Sequence, residues 1–211
     1  MRITIEWLKE KRSCSEGIVW FENQKLSESV DVLKSLIKED KLDWANWTIV
    51  RVMERIQYLQ CAVFAAEQVL GIFEKKYPTD DRPRKAIDSA RKCLENNSEE
   101  NRGAAYVAAN AAADVAYAAA DAAAHAAAYA ADAAAHAAYW AAYAAADVAY
   151  AAAYVATYAS DAAANAAYAA YVSDAAGQVA KKQMQIKILT YGIGVLDRLA
   201  QEEQRHSQID S

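Results

Sequence analysis

Apolar positions recur at three- and four-residue steps along most of the chain, the spacing of amphipathic helices. Leu26, Val30, Leu33 and Ile37 predict a helix from about Lys25 to Lys38. Trp44, Trp47, Val50, Met53, Ile56, Leu59, Val63, Ala66, Leu70, Phe73 and Tyr77 continue the rhythm and predict one long helix from about Leu42 to Tyr77, stopped by Pro78. A second row, Ile49, Val52, Cys61, Phe64 and Ile72, widens its buried face, so this helix is expected to form the core. Before it, Ile3, Ile5, Trp7 and Leu8 mark a short helix or strand. After a break at Ser13-Cys14-Ser15-Glu16-Gly17 comes the apolar patch Ile18-Val19-Trp20-Phe21. These two short pieces are expected to cap one end of the core.

Beyond Pro78, Asp80 and Asp81 sit before a helix starting at Pro83, where proline's fixed φ suits the first helical position and the acids suit the helix's positive end. Asn96-Asn97 ends that helix, and Ser98 with Glu99 and Glu100 starts the next. Near the C-terminus, Val179, Ile186, Leu189, Ile193, Leu196 and Leu199 predict an amphipathic helix. Gly192 and Gly194 inside it mark a close crossing or a bend, and the polar residues from Gln201 read as a frayed tail.

Between these lies a different pattern. Residues 104–176 hold 44 alanines, 10 tyrosines and 6 aspartates, with no Lys, Arg, Glu, Gln, Gly or Pro. Alanine loses no side-chain freedom in a helix and competes for no backbone hydrogen bond, so the tract is helix-forming. Its larger residues keep a rhythm of about eleven residues per three turns, which gives straight or weakly right-handed packing. One face therefore carries Tyr, Asp, Asn and His, and the other is bare alanine, which lets helices approach closely. Unbroken, the tract would span ~110 Å. Breaks expected at Thr157 to Asp161 and at Val172-Ser173-Asp174, where Ser or Asp can cap a new helix, would give several antiparallel segments; the stripe keeps its phase across them, and one or two very long helices are the alternative.

The fold class is thus all-α: a helical bundle with an Ala-rich, closely packed segment. Residues 1–103 are the N-terminal helical part of a single domain, 104–176 the tract, and 177–211 a C-terminal helix packing back on the N-terminal part.

The net charge is −5, and the tract carries six acids and no base, so the excess negative charge lies there. Nucleic acid, which needs a basic footprint, is excluded as a partner. A protein with a basic surface fits. A membrane span is excluded too, since an aspartate at the centre of a spanning helix costs ~2.5–3.5 kcal/mol and alanine offsets little of it. The N-terminus lacks the apolar run of a signal peptide. Cys14, Cys61 and Cys93 are far apart and in no metal-like spacing, as expected of reduced, buried thiols in the cytoplasm.

Ligand character is confined to Asp121, His125, Asp132 and His136, each Asp four residues before a His on one helix face. The two pairs are two turns apart, too far for one metal, and read as polar pairing that keeps the helix soluble. No phosphate loop, nucleophile elbow or zinc motif is present, and a non-enzyme without cofactor is expected.

Asp43-Trp44-Ala45-Asn46-Trp47-Thr48-Ile49-Val50-Arg51-Val52-Met53, Phe64-Ala65-Ala66-Glu67-Gln68-Val69, Tyr77-Pro78-Thr79-Asp80-Asp81-Arg82-Pro83-Arg84-Lys85-Ala86-Ile87, the tract, and Met184-Gln185-Ile186-Lys187-Ile188-Leu189 together resemble bacterial immunity proteins of the immunity-protein-5-like type. The resemblance covers roughly residues 40 to 200, and its most specific part is the Asp-Asp-Arg-Pro-Arg-Lys-Ala stretch. It implies a cytosolic protein that neutralises a toxin by binding it, and it carries over no catalytic residue. The expected contact residues are Asp114, Tyr117, Asp121, Asp132, Tyr139, Tyr143, Asp147 and Tyr150, because tyrosine gives large contact area with few rotors to freeze. The alternatives are an anti-defence protein that sequesters a small molecule or a defence factor between helices, and a structural or ice-binding rod. Thr157 is the tract's only threonine, whereas helical antifreeze proteins display a threonine column. The bare alanine face is left to pack either within the chain or against a second copy.

Overall fold

The computed structural model describes residues 1–121, 129, 131–137, 161 and 174–209. For Arg55, 115–121, 174–177, 199–200 and 202–209 the description is of the backbone alone. The chain is all-α, and its regular elements are helices. It forms two compact units, one of Met1–Met53 with Leu189–Ser211 and one of Glu54–Ile188.

In the first unit, α1 (Ile5–Glu10) is capped by Thr4, whose Oγ1 accepts the Trp7 N–H at 3.2 Å. It ends with Arg12 in the left-handed region (φ 58°), the Arg12 N–H donating to the Lys9 carbonyl and the Ser13 N–H to the Leu8 carbonyl. That is the Schellman ending, which most often uses glycine. α2 (Ser15–Gln24) is capped by Cys14, whose Sγ accepts the Gly17 N–H at 3.4 Å. The apolar patch Ile18 to Phe21 thus lies inside a helix, and Phe21 is buried.

The helix expected from Lys25 begins instead at Ser29, as α3 (Ser29–Lys38). Lys25 is left-handed (φ 54°) and ends α2, and Ser27 and Ser29 bond the N-terminal segment through Ile3 N–H to Ser27 O (2.7 Å) and Ser29 N–H to Met1 O (3.0 Å). α3 buries Val32, Leu33 and Leu36 and packs on α4 (Leu42–Val52). The C-terminal part of α8 (Asp174–Ile209) adds buried Leu189, Ile193 and Val195. Lys34 Nζ of α3 lies 3.5 Å from Asp197 Oδ2. α8 is helical through Ile209, so the tail expected to fray from Gln201 continues the helix, which also runs unbroken through Gly192 and Gly194.

The single helix expected from Leu42 to Tyr77 is two helices. Met53 is extended (ψ 152°), and α5 (Arg55–Lys76) starts anew from Glu54 with a reciprocal capping box: the Glu54 side chain accepts from the Gln57 N–H, and the Gln57 side chain accepts from the Glu54 N–H. Hydrophobic phase did not reveal the break because Met53 and Leu59 are buried on either side of it. The Glu-x-x-Gln spacing was its local signal.

In the second unit, α5, α6 (Arg82–Glu95) and α7 (Glu99–Asp121) pack in sequence order. α5 is long and apolar enough to cross a membrane by composition, but Leu59, Ala62, Ala66, Val69, Leu70 and Phe73 bury its apolar side in the core. Arg82 starts α6, and Ser98 Oγ accepts the Asn101 N–H at 3.1 Å to cap α7, much as the sequence predicts. Ala105, Ala109 and Ala112 of α7 are buried in the same core as Ile87 and Ala90 of α6, together with Ala131, Ala133, Ala134, Ala135 and Ala137. The bare alanine side of α7 therefore packs within the chain. The breaks expected between Thr157 and Asp161 and around Ser173 lie outside the described residues, apart from Asp161 and Asp174 themselves.

Candidate functional site

Two places offer binding chemistry. The first is the outward face of α7. With the alanine column turned inward, Tyr106 (43% exposed), Val107 (68% exposed), Asn110 and Asp114 face out. Of the expected contact residues, Asp114 is exposed on this face, and Tyr117 and Asp121 follow it along the same helix at three- and four-residue steps. Tyr139, Tyr143, Asp147 and Tyr150 lie outside the described residues.

Asp132 sits in the helical segment 131–137, half-buried among buried alanines, with His136 one turn on and also half-buried. Burial pushes the Asp132 carboxyl above its ordinary range, opposed by His136. Burial likewise pushes the His136 imidazole below its ordinary value of 6.5, opposed by Asp132. His125, the partner expected for Asp121, lies outside the described residues. Among the described residues no three His, Cys, Asp or Glu side chains gather as a metal would need.

The signs of these two shifts predict a pH dependence. The unfolded chain protonates His136 near 6.5, the folded chain only at lower pH, so between those values the unfolded state holds more protons. Stability is expected to rise with pH through that window and level off above it. Asp132 acts oppositely at lower pH: its folded carboxyl keeps a proton above the ordinary 3.8, so stability falls as pH rises from there to the folded value. Urea midpoints measured between about pH 5 and 7.5, the range in which histidine titrates, should rise in the parent and flatten in His136→Gln. Equal slopes in both proteins would refute the assignment.

The Asp-Asp-Arg-Pro-Arg stretch is engaged in local structure. Arg82 donates to both Asp80 carboxylate oxygens (2.9 and 2.6 Å), and this bond holds the Asp80 carboxyl below its usual range. Lys85 pairs with Asp81 at 3.0 Å, Arg84 with Glu74 at 2.6 Å, and Arg91 with Glu67 at 2.6 Å, the last two tying α6 to α5. Such exposed pairs contribute ~0–1 kcal/mol each, enough to fix a turn and little more.

The second place was not anticipated. α1 to α4 enclose a cavity of about 350 Å³ in the first unit. Trp20, Phe21, Trp44 and Trp47 supply its aromatic wall, and Ile3, Leu8, Val32 and Leu36 its aliphatic part. Exposed Arg12, Cys14 and Asp43, with Ser13 and Gly17, stand at its solvent side. The rings are held in place: Trp20 meets Trp44 edge-on at 6.2 Å, Trp47 meets Trp7 at 6.2 Å, and Trp20 Nε1 donates to Glu39 at 2.7 Å. Lys41 Nζ lies 4.9 Å from the Trp44 ring centre, and the Arg51 guanidinium lies 4.1 Å from that of Trp47.

Thr48 also lines the cavity. It is 5% exposed, and its hydroxyl has no hydrogen-bond partner among the described residues. The sequence signal for this site was the crowding of Trp7, Trp20, Trp44 and Trp47 into the first 47 positions, which reads equally well as a core. Cys14, expected to be buried, is exposed here as a helix cap; Cys61 and Cys93 are buried.

No family model matches the chain, and no curated protein and no solved structure is similar to it at a significant level.

Proposed function

We propose that this chain is a non-enzymatic binding protein of the immunity type, a cytoplasmic inhibitor that occludes a toxin or effector by direct protein contact. The observation that carries the reading is the sidedness of α7. Its small residues are spent on the core, so tyrosine, valine, asparagine and aspartate are left on the outer face. A protein contact needs apolar area flanked by polar groups that fix register, and this row supplies both. The six acids and absent bases of the tract add a field that favours a basic partner.

The test is retention of a partner by tagged protein in its own host, compared with Val107→Asp/Asp114→Lys. Both positions are exposed, so folding should be unchanged, within ~0.5 kcal/mol per surface substitution. The variant is expected to lose a stoichiometric basic protein that the parent retains. A partner held equally by both proteins would refute this face as the contact.

A second reading, a small molecule sequestered between helices, is favoured by the tryptophan-walled cavity of the first unit.

A further inference from the structure

We infer that the cavity between α1, α2, α3 and α4 binds a small aromatic acid, its ring among Trp20, Trp44 and Trp47, a polar ring substituent on Thr48, and its carboxylate on Arg12. This rests on the second reading above and names its ligand; it is independent of the tract.

Each part of the ligand follows from a different observation. At about 350 Å³ the cavity lies at the small end of ligand pockets, suited to a one- or two-ring molecule. Three tryptophan walls favour an aromatic body, since ring pairs gain from edge-to-face and offset contacts beyond the area they bury.

Thr48 points to a hydrogen-bonding substituent. A hydroxyl without a partner on a residue that is only 5% exposed is a destabilising feature, and native proteins satisfy nearly all such groups. Its place in the wall of a cavity means that an occupant can satisfy it.

The charge of the ligand is decided by what surrounds the rings. Tryptophan cages usually suggest a cationic ligand. Here Lys41 already lies over Trp44 and Arg51 over Trp47, so a third cation would meet like charge. Arg12 lines the cavity, and its guanidinium has no ion-pair partner among the described residues. A guanidinium presents a planar set of donors that fits a carboxylate in two bonds. Ser13 and Gly17 line the same side, but the Ser13 hydroxyl donates to the Cys14 carbonyl at 3.5 Å and the Gly17 N–H to Cys14 Sγ at 3.4 Å, so Arg12 is left as the group for the carboxylate. Asp43 is the sole acid in the lining, and it would disfavour an anion bound on its own side.

The experiment is calorimetric titration of the full chain with 4-hydroxyphenylacetate, phenylacetate and tyramine. The first is expected to bind saturably at one site. Phenylacetate, lacking the hydroxyl, should bind about three- to tenfold more weakly, the range of one neutral hydrogen bond. Tyramine, with an ammonium in place of the carboxylate, should bind weakest. Thr48→Val should abolish the preference for the hydroxylated acid, and by removing a buried unpaired hydroxyl at equal volume it should raise the melting temperature by about 2–4 °C. Arg12→Gln should weaken the acid about tenfold, the low end for a charge-assisted bond at an exposed site. Native alkylation reports on Cys14 alone, because Cys61 and Cys93 are buried, and bound acid should slow it.

Tyramine binding more tightly than the acid would overturn the assigned ligand while leaving a small-molecule site standing. No binding of any of the three to protein with an unchanged circular dichroism spectrum would overturn both. Neither result bears on the partner contact at Val107 and Asp114, which is read by protein retention.

Discussion

Phe73→Ala is expected to lower the stability of the second unit by about 3–5 kcal/mol, the range for deleting a large aromatic side chain from a packed core. Phe73 is 0% exposed on α5, its ring centre 5.1 Å from that of Tyr77, and it belongs to the core built from α5, α6 and α7. Two effects add: the lost transfer of a ring out of water, and the cavity left when surrounding atoms fail to close it. The alanine-rich make-up of this core makes that closure harder. Ala86, Ala90 and Ala105 are fully buried and have no long side chains that could swing into the gap. The loss should therefore fall toward the upper part of the range, against total stabilities of ~5–15 kcal/mol for native domains.

The readout is urea unfolding followed by circular dichroism, with the midpoint falling and the slope retained. Tryptophan fluorescence would be dominated by the other unit, which holds Trp7, Trp20, Trp44 and Trp47, four of the five tryptophans, against Trp140 in this one. Ile72→Ala on the same helix, where the side chain is partly buried, should cost distinctly less. A Phe73→Ala loss below ~1 kcal/mol, the size of a typical tolerated substitution, would refute its place at the centre of the core.

Much of this fold could be read from residue pattern, and the exceptions share a cause. Helical periodicity located α3, α6, α7 and α8 because their apolar residues recur on one side and their ends carry local signals, such as Pro83 and Ser98. It failed between α4 and α5, where Met53 keeps the apolar phase while its backbone leaves the helix, and only the Glu54–Gln57 pair records the restart. It also failed at Lys25, where the backbone turns left-handed at a residue that carries a β-carbon and the expected helix starts only at Ser29. The stretch after Lys25 is held by hydrogen bonds to the N-terminal segment, Ile3 N–H to Ser27 O and Ser29 N–H to Met1 O, which no local window contains.

The two candidate sites differ in the same way. The face of α7 that carries Asp114 was legible because it is a property of one helix. The cavity was not, because Trp20, Trp44 and Trp47 become its walls only when α2 and α4 are brought together. From composition alone, four tryptophans near one end are a core, and that reading is half right. They are packed on one another and on cations, and they also bound a space.

Ala112→Leu is expected to destabilise the second unit by about 1–3 kcal/mol, although it adds apolar surface. On area alone the change would be favourable, since burying a leucine side chain contributes ~1.5–3 kcal/mol relative to leaving it exposed. The sign is decided by room. Ala112 is 0% exposed, Ala109 is 2% exposed and Ala105 is 0% exposed, and α7 packs against α6 through this column. Where a methyl already fills the gap between two helices, three more carbons must push the backbones apart or adopt a poor rotamer, and nearby alanines lose contact as they separate. Asn110→Leu on the exposed face makes the comparison fair, because it introduces the same side chain on the same helix. It should stay within ~0.5 kcal/mol of the parent. If Ala112→Leu instead stabilises, the column is not closely packed, and the inward and outward faces of α7 must be exchanged. The contact row of Tyr106, Val107, Asn110 and Asp114 would fall with it, since those residues face out only because the alanines face in.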